Sequence, residues 1–323
     1  MRSEELEYDL PEELIAQHPT ERRDASRLLV FERATGDVAH RTFADLPEEL
    51  GDALAVVNDT RVVPARLRLR RASGGAVEVL LLERLADEGL WEALARPSRR
   101  LRPGEVLLPR GDQPRGGGGV ELLAELGEGR WRVRLEGEPA GETPLPPYVR
   151  ERLRDPERYQ TVYAHEIGSA AAPTAGLHFT PELLARLDVE RVTLHVGLDT
   201  FRPLTADTLE AHELHGERYR VERPAWERIA AAPRVLAVGT TTTRVLETVV
   251  RTGRLVGRTD LFIRPGHEFR RVDALLTNFH LPRSTLLALV MAFAGVEETR
   301  ELYALAIAER YRFYSFGDAL LVL

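Results

Sequence analysis

The sequence predicts an α/β main domain carrying an inserted, small all-β barrel domain. Up to residue 63, and again from 147 to 323, short apolar runs of strand type alternate with helix-type segments. Between 64 and 146 the helix signals fade, and short strand-like runs are punctuated by glycine turns. A chain of 323 residues is long enough for two domains, or for one with a large insertion. The expected division is a discontinuous α/β catalytic domain, 1–63 and 147–323, with the β-barrel domain at 64–146.

In chain order, Leu10–Ala16 carries a short helix signal, and strand-like runs follow at Arg27–Phe31 and Leu54–Val57. The second run ends in Asn58-Asp59-Thr60-Arg61. Polar residues directly after a buried strand lie at its carboxyl end, where open α/β sheets hold ligands; an Asx-turn is the plainer alternative. The barrel strands are expected at Ala65–Arg70, Val77–Leu85, Leu90–Ala95, Glu105–Leu108, Val120–Leu126 and Trp131–Leu135. Gly116–Gly119 lacks the following helix and the lysine of a phosphate loop and reads as a hairpin tip. Arg96, Arg99, Arg100 and Arg102 form either a basic rim or a solvated surface.

Past residue 147, Tyr148–Arg154 reads as helical and Arg191–Gly197 as a strand ending in glycine, with Leu198–Pro203 after it. His212, His215 and Glu217 come next. His-x-x-His-x-Glu fits none of the common zinc spacings, so substrate contact or a structural role is the expectation and no metal is assigned. Arg234–Gly239 is a buried strand, and Thr240-Thr241-Thr242-Thr243 opens the helix Val245–Arg251. A glycine followed by a hydroxyl-rich helix start presents free N–H groups to an anion, or is a simple threonine cap. Leu275–Pro282 repeats the strand-then-polar pattern with Thr277, Asn278, Phe279 and His280, and Ser284 caps the helix Thr285–Ala294. A helix at Glu298–Tyr311 and a closing strand complete the chain, with Arg312–Asp318 between them.

The least ordinary stretch is Ala170–Thr180, A-A-A-P-T-A-G-L-H-F-T. Pro173 biases Ala172 towards an extended path, Thr174 supplies a hydroxyl, and Ala175 is small. Gly176 permits positive φ or close approach, His178 is the titratable group, Phe179 follows it, and Thr180-Pro181-Glu182 reads as an N-cap with proline at N1. The stretch is either a loop over which a ligand passes closely, or a tight turn with His178 bonded in the core.

Composition narrows the chemistry. Cysteine is absent, which rules out a thiol nucleophile, cysteine-held zinc and iron–sulfur clusters. All 44 basic residues are arginine, so Schiff-base lysine catalysis and a P-loop lysine are excluded too. The net charge of −7 argues against promiscuous nucleic-acid binding, although a local arginine patch remains compatible with phosphate contacts. No apolar run reaches membrane-spanning length and the acidic amino terminus has no signal-peptide core, so a cytoplasmic protein without membrane association is expected.

Taken together, these residues resemble the S-adenosylmethionine:tRNA ribosyltransferase-isomerase family of queuosine biosynthesis. The likeness runs through Tyr8–Pro11, Asp24–Leu29, Asn58–Leu67, Leu145–Tyr148, Tyr159–Tyr163, Ala171–Thr180, Thr193–Gly197, His212–Glu217, Val238–Thr241, Asp273–Pro282 and Tyr311–Phe313. Ile167, Asp199 and Thr242 depart from the family's usual residues.

The resemblance implies an α/β domain with an inserted barrel. It also implies transfer and isomerisation of the ribosyl part of S-adenosylmethionine onto 7-aminomethyl-7-deazaguanine at the tRNA wobble position. The products would be epoxyqueuosine-tRNA, adenine and methionine. S-adenosylmethionine is then a co-substrate and no cofactor is expected; the partner is tRNA, and a monomer is expected.

Such a reaction needs a base at the carbon beside the sulfonium. His178 is the first candidate, with His195, Asp59 and His280 as competitors. Binding is expected at Asn58, Thr60, Arg61, Pro173, Thr174, Ala175, Gly176, Phe179, Gly197, His212, His215, Glu217, Gly239, Thr240, Thr241, Asn278, Phe279 and Arg312. The Gly239–Thr242 helix start would hold the methionine carboxylate, and Arg61, Arg202, Arg244 and Arg312 are candidates for phosphate or other anionic contacts. A methyltransferase, or an RNA-binding protein without activity, are the competing classes.

Overall fold

A computed structural model describes the whole chain except residues 86, 111–117, 152, 198–203, 205, 213 and 215. Asp199, Arg202, His215 and part of the Gly116–Gly119 run therefore lie outside the described residues. The chain divides into two compact units: Met1–Thr60 with Pro147–Glu166 and Pro173–Leu323, and Arg61–Pro146 with Ile167–Ala172.

In chain order the strands are β1 (Arg27–Glu32), β2 (Asp37–Thr42), β3 (Leu54–Asn58), β4 (Thr60–Val62), β5 (Arg66–Arg70), β6 (Ala76–Arg84), β7 (Leu90–Arg96), β8 (Val106–Pro109), β9 (Val120–Gly127), β10 (Arg130–Leu135), β11 (Glu166–Ser169), β12 (Val189–Leu194), β13 (Glu217–Arg220), β14 (Val235–Val238), β15 (Val256–Thr259), β16 (Ala274–Asn278) and β17 (Ala319–Val322). The helices are α1 (Leu46–Leu50), α2 (Pro181–Leu184), α3 (Arg223–Ala231), α4 (Thr240–Thr252), α5 (Thr285–Ala294) and α6 (Val296–Ala308).

The first unit is built on a nine-stranded sheet in the order β15-β13-β12-β3-β14-β16-β17-β1-β2. Strands β12, β3, β14 and β16 run parallel. Every residue of β3, β14 and β16 is buried, as expected of central strands covered on both faces. Strand β17 is antiparallel to β16, and β1 is parallel to β17. This reversal brings the residues before β1 and β17 to the edge where the parallel strands end. The core beneath that edge is packed from Leu28, Phe43, Leu46, Val57, Phe179, Leu236 and Leu276.

The second unit is a closed barrel, β10-β7-β6-β5-β8-β9, with neighbouring strands antiparallel. Closure removes the unpaired edges that an open sheet of this size would expose. Alternation places Leu67, Leu69, Val79, Trp91, Leu122 and Trp131 inside, and the indole N–H of Trp131 donates to Ser98 Oγ at 2.8 Å. Arg96, which ends β7, and Arg99, Arg100 and Arg102, which follow it, stand exposed.

Several local expectations are corrected. Tyr148–Arg154 is not helical over its described residues. Prolines precede it, and Gln17 captures its backbone: Gln17 Nε2 donates to Tyr148 O at 3.0 Å, and Arg150 N donates to Gln17 Oε1 at 3.0 Å. Leu10–Ala16 holds only a 3-10 turn, Glu12–Leu14, because Ile15 is drawn into a bridge with Phe313. The α4 helix begins at Thr240 rather than Val245, so the threonines are its first turn.

Candidate active site

Three polar groups lie along the edge where β12, β3, β14 and β16 end. The first follows β3. Asn58 is fully buried; its amide donates to Leu194 O at 3.0 Å and to Thr241 Oγ1 at 3.2 Å, while its Oδ1 accepts from Leu194 N at 3.0 Å and Thr60 N at 3.2 Å. The Thr60 contact is an Asx-turn, so the two alternatives for this segment coincide: the turn is what holds the strand end in place. Asp59 Oδ1 accepts from Thr193 Oγ1 at 2.7 Å, and Thr60 Oγ1 lies 2.9 Å from His195 Nδ1. Burial pushes the Asp59 carboxyl above its ordinary range; the Thr193 hydroxyl opposes that shift and Glu166 adds to it. A carboxylate that holds protons more tightly is a stronger base.

The second group surrounds His178, which ends a 3-10 turn, Thr174–His178. His178 Nε2 accepts from Asn278 Nδ2 at 3.0 Å, so its Nδ1–H donates to Ser26 Oγ at 2.9 Å. The ring stacks on Phe43 with centroids 4.9 Å apart. Burial, with Arg312 and Arg23 adding to it, pushes its pKa down to about 3. Asp318, just before β17, ties this corner together by accepting from Arg27 N at 2.9 Å and Arg312 N at 2.8 Å. The Arg312 guanidinium is bound to the carbonyls of His18 and Phe316.

The third group lies at the start of α4. Gly239 has φ +90°, a conformation suited to glycine, and no side chain caps the helix. Ala175 Cβ would lie 3.6 Å from a Cβ added to Gly239, an ordinary contact, so it is the positive φ rather than lack of space that favours glycine there. Beside this terminus Glu217 accepts from Gly197 N at 2.8 Å and pairs with Arg244, whose other donors reach Leu261 O at 2.9 Å and Thr259 O at 3.0 Å. Glu217, Thr240, Thr241 and Arg244 line a narrow cleft with about 30 Å³ of enclosed space, together with Leu261, Phe262, Ile263 and Leu286. The Glu217 and Arg244 side chains are each only 10 % exposed. Arg244→Ala would leave a carboxylate shielded from water without its cation, and is expected to cost about 3–5 kcal/mol in denaturant unfolding.

The other predicted residues are placed differently. His280 is held by Thr277 Oγ1, 2.6 Å from its Nε2, and its backbone N–H donates to Tyr303 Oη at 3.0 Å; burial pushes its pKa down to about 3. Phe179 and Phe279 are fully buried and pack against other aromatic rings. Pro173 is buried, Thr174 and Arg61 are half-buried, and His212 packs edge-on against Phe262 with centroids 5.7 Å apart. Among the described residues no cluster of three or more His, Asp or Glu is arranged to hold a metal, and no helix is long and apolar enough to cross a membrane.

His178 and His280 give the protein a pH signature. Both are neutral when folded, and an unfolded histidine binds its proton near pH 6.5. The unfolded chain therefore binds more protons below that value. Their contribution to stability is complete above about pH 6.5 and is lost progressively towards about pH 3, a loss that urea midpoints measured across this range should show.

A family model described as "Queuosine biosynthesis protein" matches residues 3–322. S-adenosylmethionine:tRNA ribosyltransferase-isomerases from Rubrobacter xylanophilus and Symbiobacterium thermophilum are each 52% identical over 100% of this chain, and over 98% and 100% of their own lengths. The chain belongs to this family. It is an enzyme of the transferase/isomerase kind. A crystal structure titled as the S-adenosylmethionine tRNA ribosyltransferase of Thermotoga maritima is 38% identical, covers 99% of this chain and 100% of that one, and has a TM-score of 0.57. The α/β unit with an inserted barrel agrees with that membership. Sequence reasoning did not single out Ser26, Thr193 and Asp318 as site residues, although two of them directly precede strands that the hydrophobic pattern marks.

Proposed function

We propose that the chain transfers and isomerises the ribosyl moiety of S-adenosylmethionine onto 7-aminomethyl-7-deazaguanine at the wobble position of tRNA. The products are epoxyqueuosine-tRNA, adenine and methionine; S-adenosylmethionine is a co-substrate, the enzyme works in the cytoplasm, and no cofactor is required. The reading is carried by end-to-end identity of about half to relatives named as S-adenosylmethionine:tRNA ribosyltransferase-isomerases.

The site chemistry supports it. The sulfonium acidifies the ribose carbon beside it, and a base must take that proton. Of the four candidates, Asp59 is favoured because burial raises its proton affinity, with His195 next to it in the same group through Thr60. His178 has both ring nitrogens engaged and a strongly lowered proton affinity, which suits positioning of neighbouring groups better than proton abstraction. The methionine end carries a carboxylate and an ammonium. An uncapped helix start beside the Glu217 carboxylate offers complementary charge to both.

The test is digestion of wobble-modified tRNA after incubation with protein and S-adenosylmethionine, followed by nucleoside mass analysis. The expected product has gained the ribosyl-derived ring. A gain of one methyl group would assign a methyltransferase instead.

A further inference from the structure

We propose that the pocket walled by Arg23 and Arg158 beside His178 is a phosphate site that takes a backbone phosphodiester of the tRNA substrate. The proposal rests on the ribosyltransferase reading above and names a contact that recognises its RNA substrate.

The pocket, whose enclosed space is only about 10 Å³, is lined by Thr20, Arg23, Ser26, Arg158, His178 and Ser315, with Pro19, Leu177 and Phe316. Its two guanidinium groups are fixed by backbone carbonyls rather than by carboxylates. Arg23 donates to Leu177 O at 2.9 Å and Glu157 O at 3.0 Å; Arg158 donates to Glu21 O at 3.1 Å and Thr20 O at 2.5 Å. Neither forms an ion pair among the described residues, and Arg158 Nε is buried with no hydrogen-bond partner. Asp155 and Glu157 act on Arg23 only through space, and Arg158 itself opposes its charge.

Two cations held rigidly in one pocket, with no carboxylate bonded to either among the described residues, repel each other in the free protein, and a bound anion relieves that repulsion. A planar, preorganised guanidinium fork matches the oxygens of a phosphate. The other available anion, the carboxylate of the methionine end, carries an ammonium a bond or two away. That ammonium would face two arginines here with no lining carboxylate, whereas the α4 cleft balances its one arginine, Arg244, with Glu217. A phosphodiester bears negative charge alone. The pocket is too small to enclose a nucleoside.

The experiment compares wild type, Arg158→Met and Arg158→Lys in binding a labelled RNA hairpin with a tRNA anticodon stem-loop sequence, by anisotropy over a series of salt concentrations. KM for S-adenosylmethionine is measured beside it. For Arg158→Met the expected result is binding weakened about tenfold and a salt slope shallower by about one phosphate contact, with KM for S-adenosylmethionine unchanged. Arg158→Lys should regain most of the slope. Inorganic phosphate should compete with the hairpin and not with S-adenosylmethionine. An unchanged slope in Arg158→Met, or a rise in KM for S-adenosylmethionine without loss of RNA binding, would overturn the proposal. Wild-type protein that binds the hairpin with the full slope yet releases no adenine from S-adenosylmethionine would sink the parent reading and leave the phosphate site standing.

Discussion

Asp59→Asn is expected to lower kcat by about 10²–10⁴-fold, the range that general-base catalysis contributes. The substitution keeps size and one carbonyl oxygen, so Thr193 can still donate to it and the turn after β3 is retained. S-adenosylmethionine affinity should change little, since the loss lies in the transition state rather than in binding. The same variant should fail to exchange the protons beside the sulfonium with solvent deuterium. Full exchange in Asp59→Asn would move the base elsewhere, with His195→Gln as the next variant to measure. His178→Asn, by contrast, should lower activity through misplacement of Asn278 and Ser26, without shifting the acid limb of the pH profile.

The second large effect concerns Gly176. A Cβ added there would lie 1.9 Å from Tyr163 Oη and 2.9 Å from Thr161 Cγ2. Tyr163 is buried, its hydroxyl has no hydrogen-bond partner among the described residues, and its ring packs on Phe179 with centroids 6.1 Å apart. The side chain has little room to withdraw. Gly176→Ala is expected to destabilise by about 1–3 kcal/mol, as overpacking of a filled core does. Tyr163→Phe removes the nearest clashing atom, leaving Tyr163 Cζ and Thr161 Cγ2 each 2.9 Å from the added Cβ, and also removes a buried, unsatisfied hydroxyl. Alone it should be neutral or stabilising, and combined with Gly176→Ala it should restore part of the lost stability. Additive losses in the double variant, read from denaturant midpoints, would show that the alanine is resisted by something other than the tyrosine.

Gly176 also shows where reading a sequence stops. Its smallness was legible, and close approach was one of the two reasons offered for it. The partner is a tyrosine hydroxyl of the same unit, which no local pattern identifies. Asn58 and Asp59 were legible because they follow a short, wholly apolar strand, and such strands end where α/β sheets place ligands. The Thr240–Thr243 run was legible for the same reason. Ser26 and Asp318 were not, since they precede their strands and reach the same edge only because β1 and β17 run against β16. That is a property of topology rather than of spacing. Phe279 and His280 stand in a polar-looking cluster, yet the fold turns the ring of one into an aromatic core and bonds the other to Thr277 and Tyr303. The barrel was the most legible part, because period-two alternation and glycine turns mark each strand separately.

The most direct measurement incubates the purified protein with S-adenosylmethionine, with and without tRNA carrying 7-aminomethyl-7-deazaguanine at the wobble position, and quantifies the purine-containing products. Free adenine should appear in step with loss of S-adenosylmethionine and only when the modified tRNA is present. Accumulation of S-adenosylhomocysteine, or tRNA binding with no consumption of S-adenosylmethionine, would contradict the ribosyl-transfer assignment.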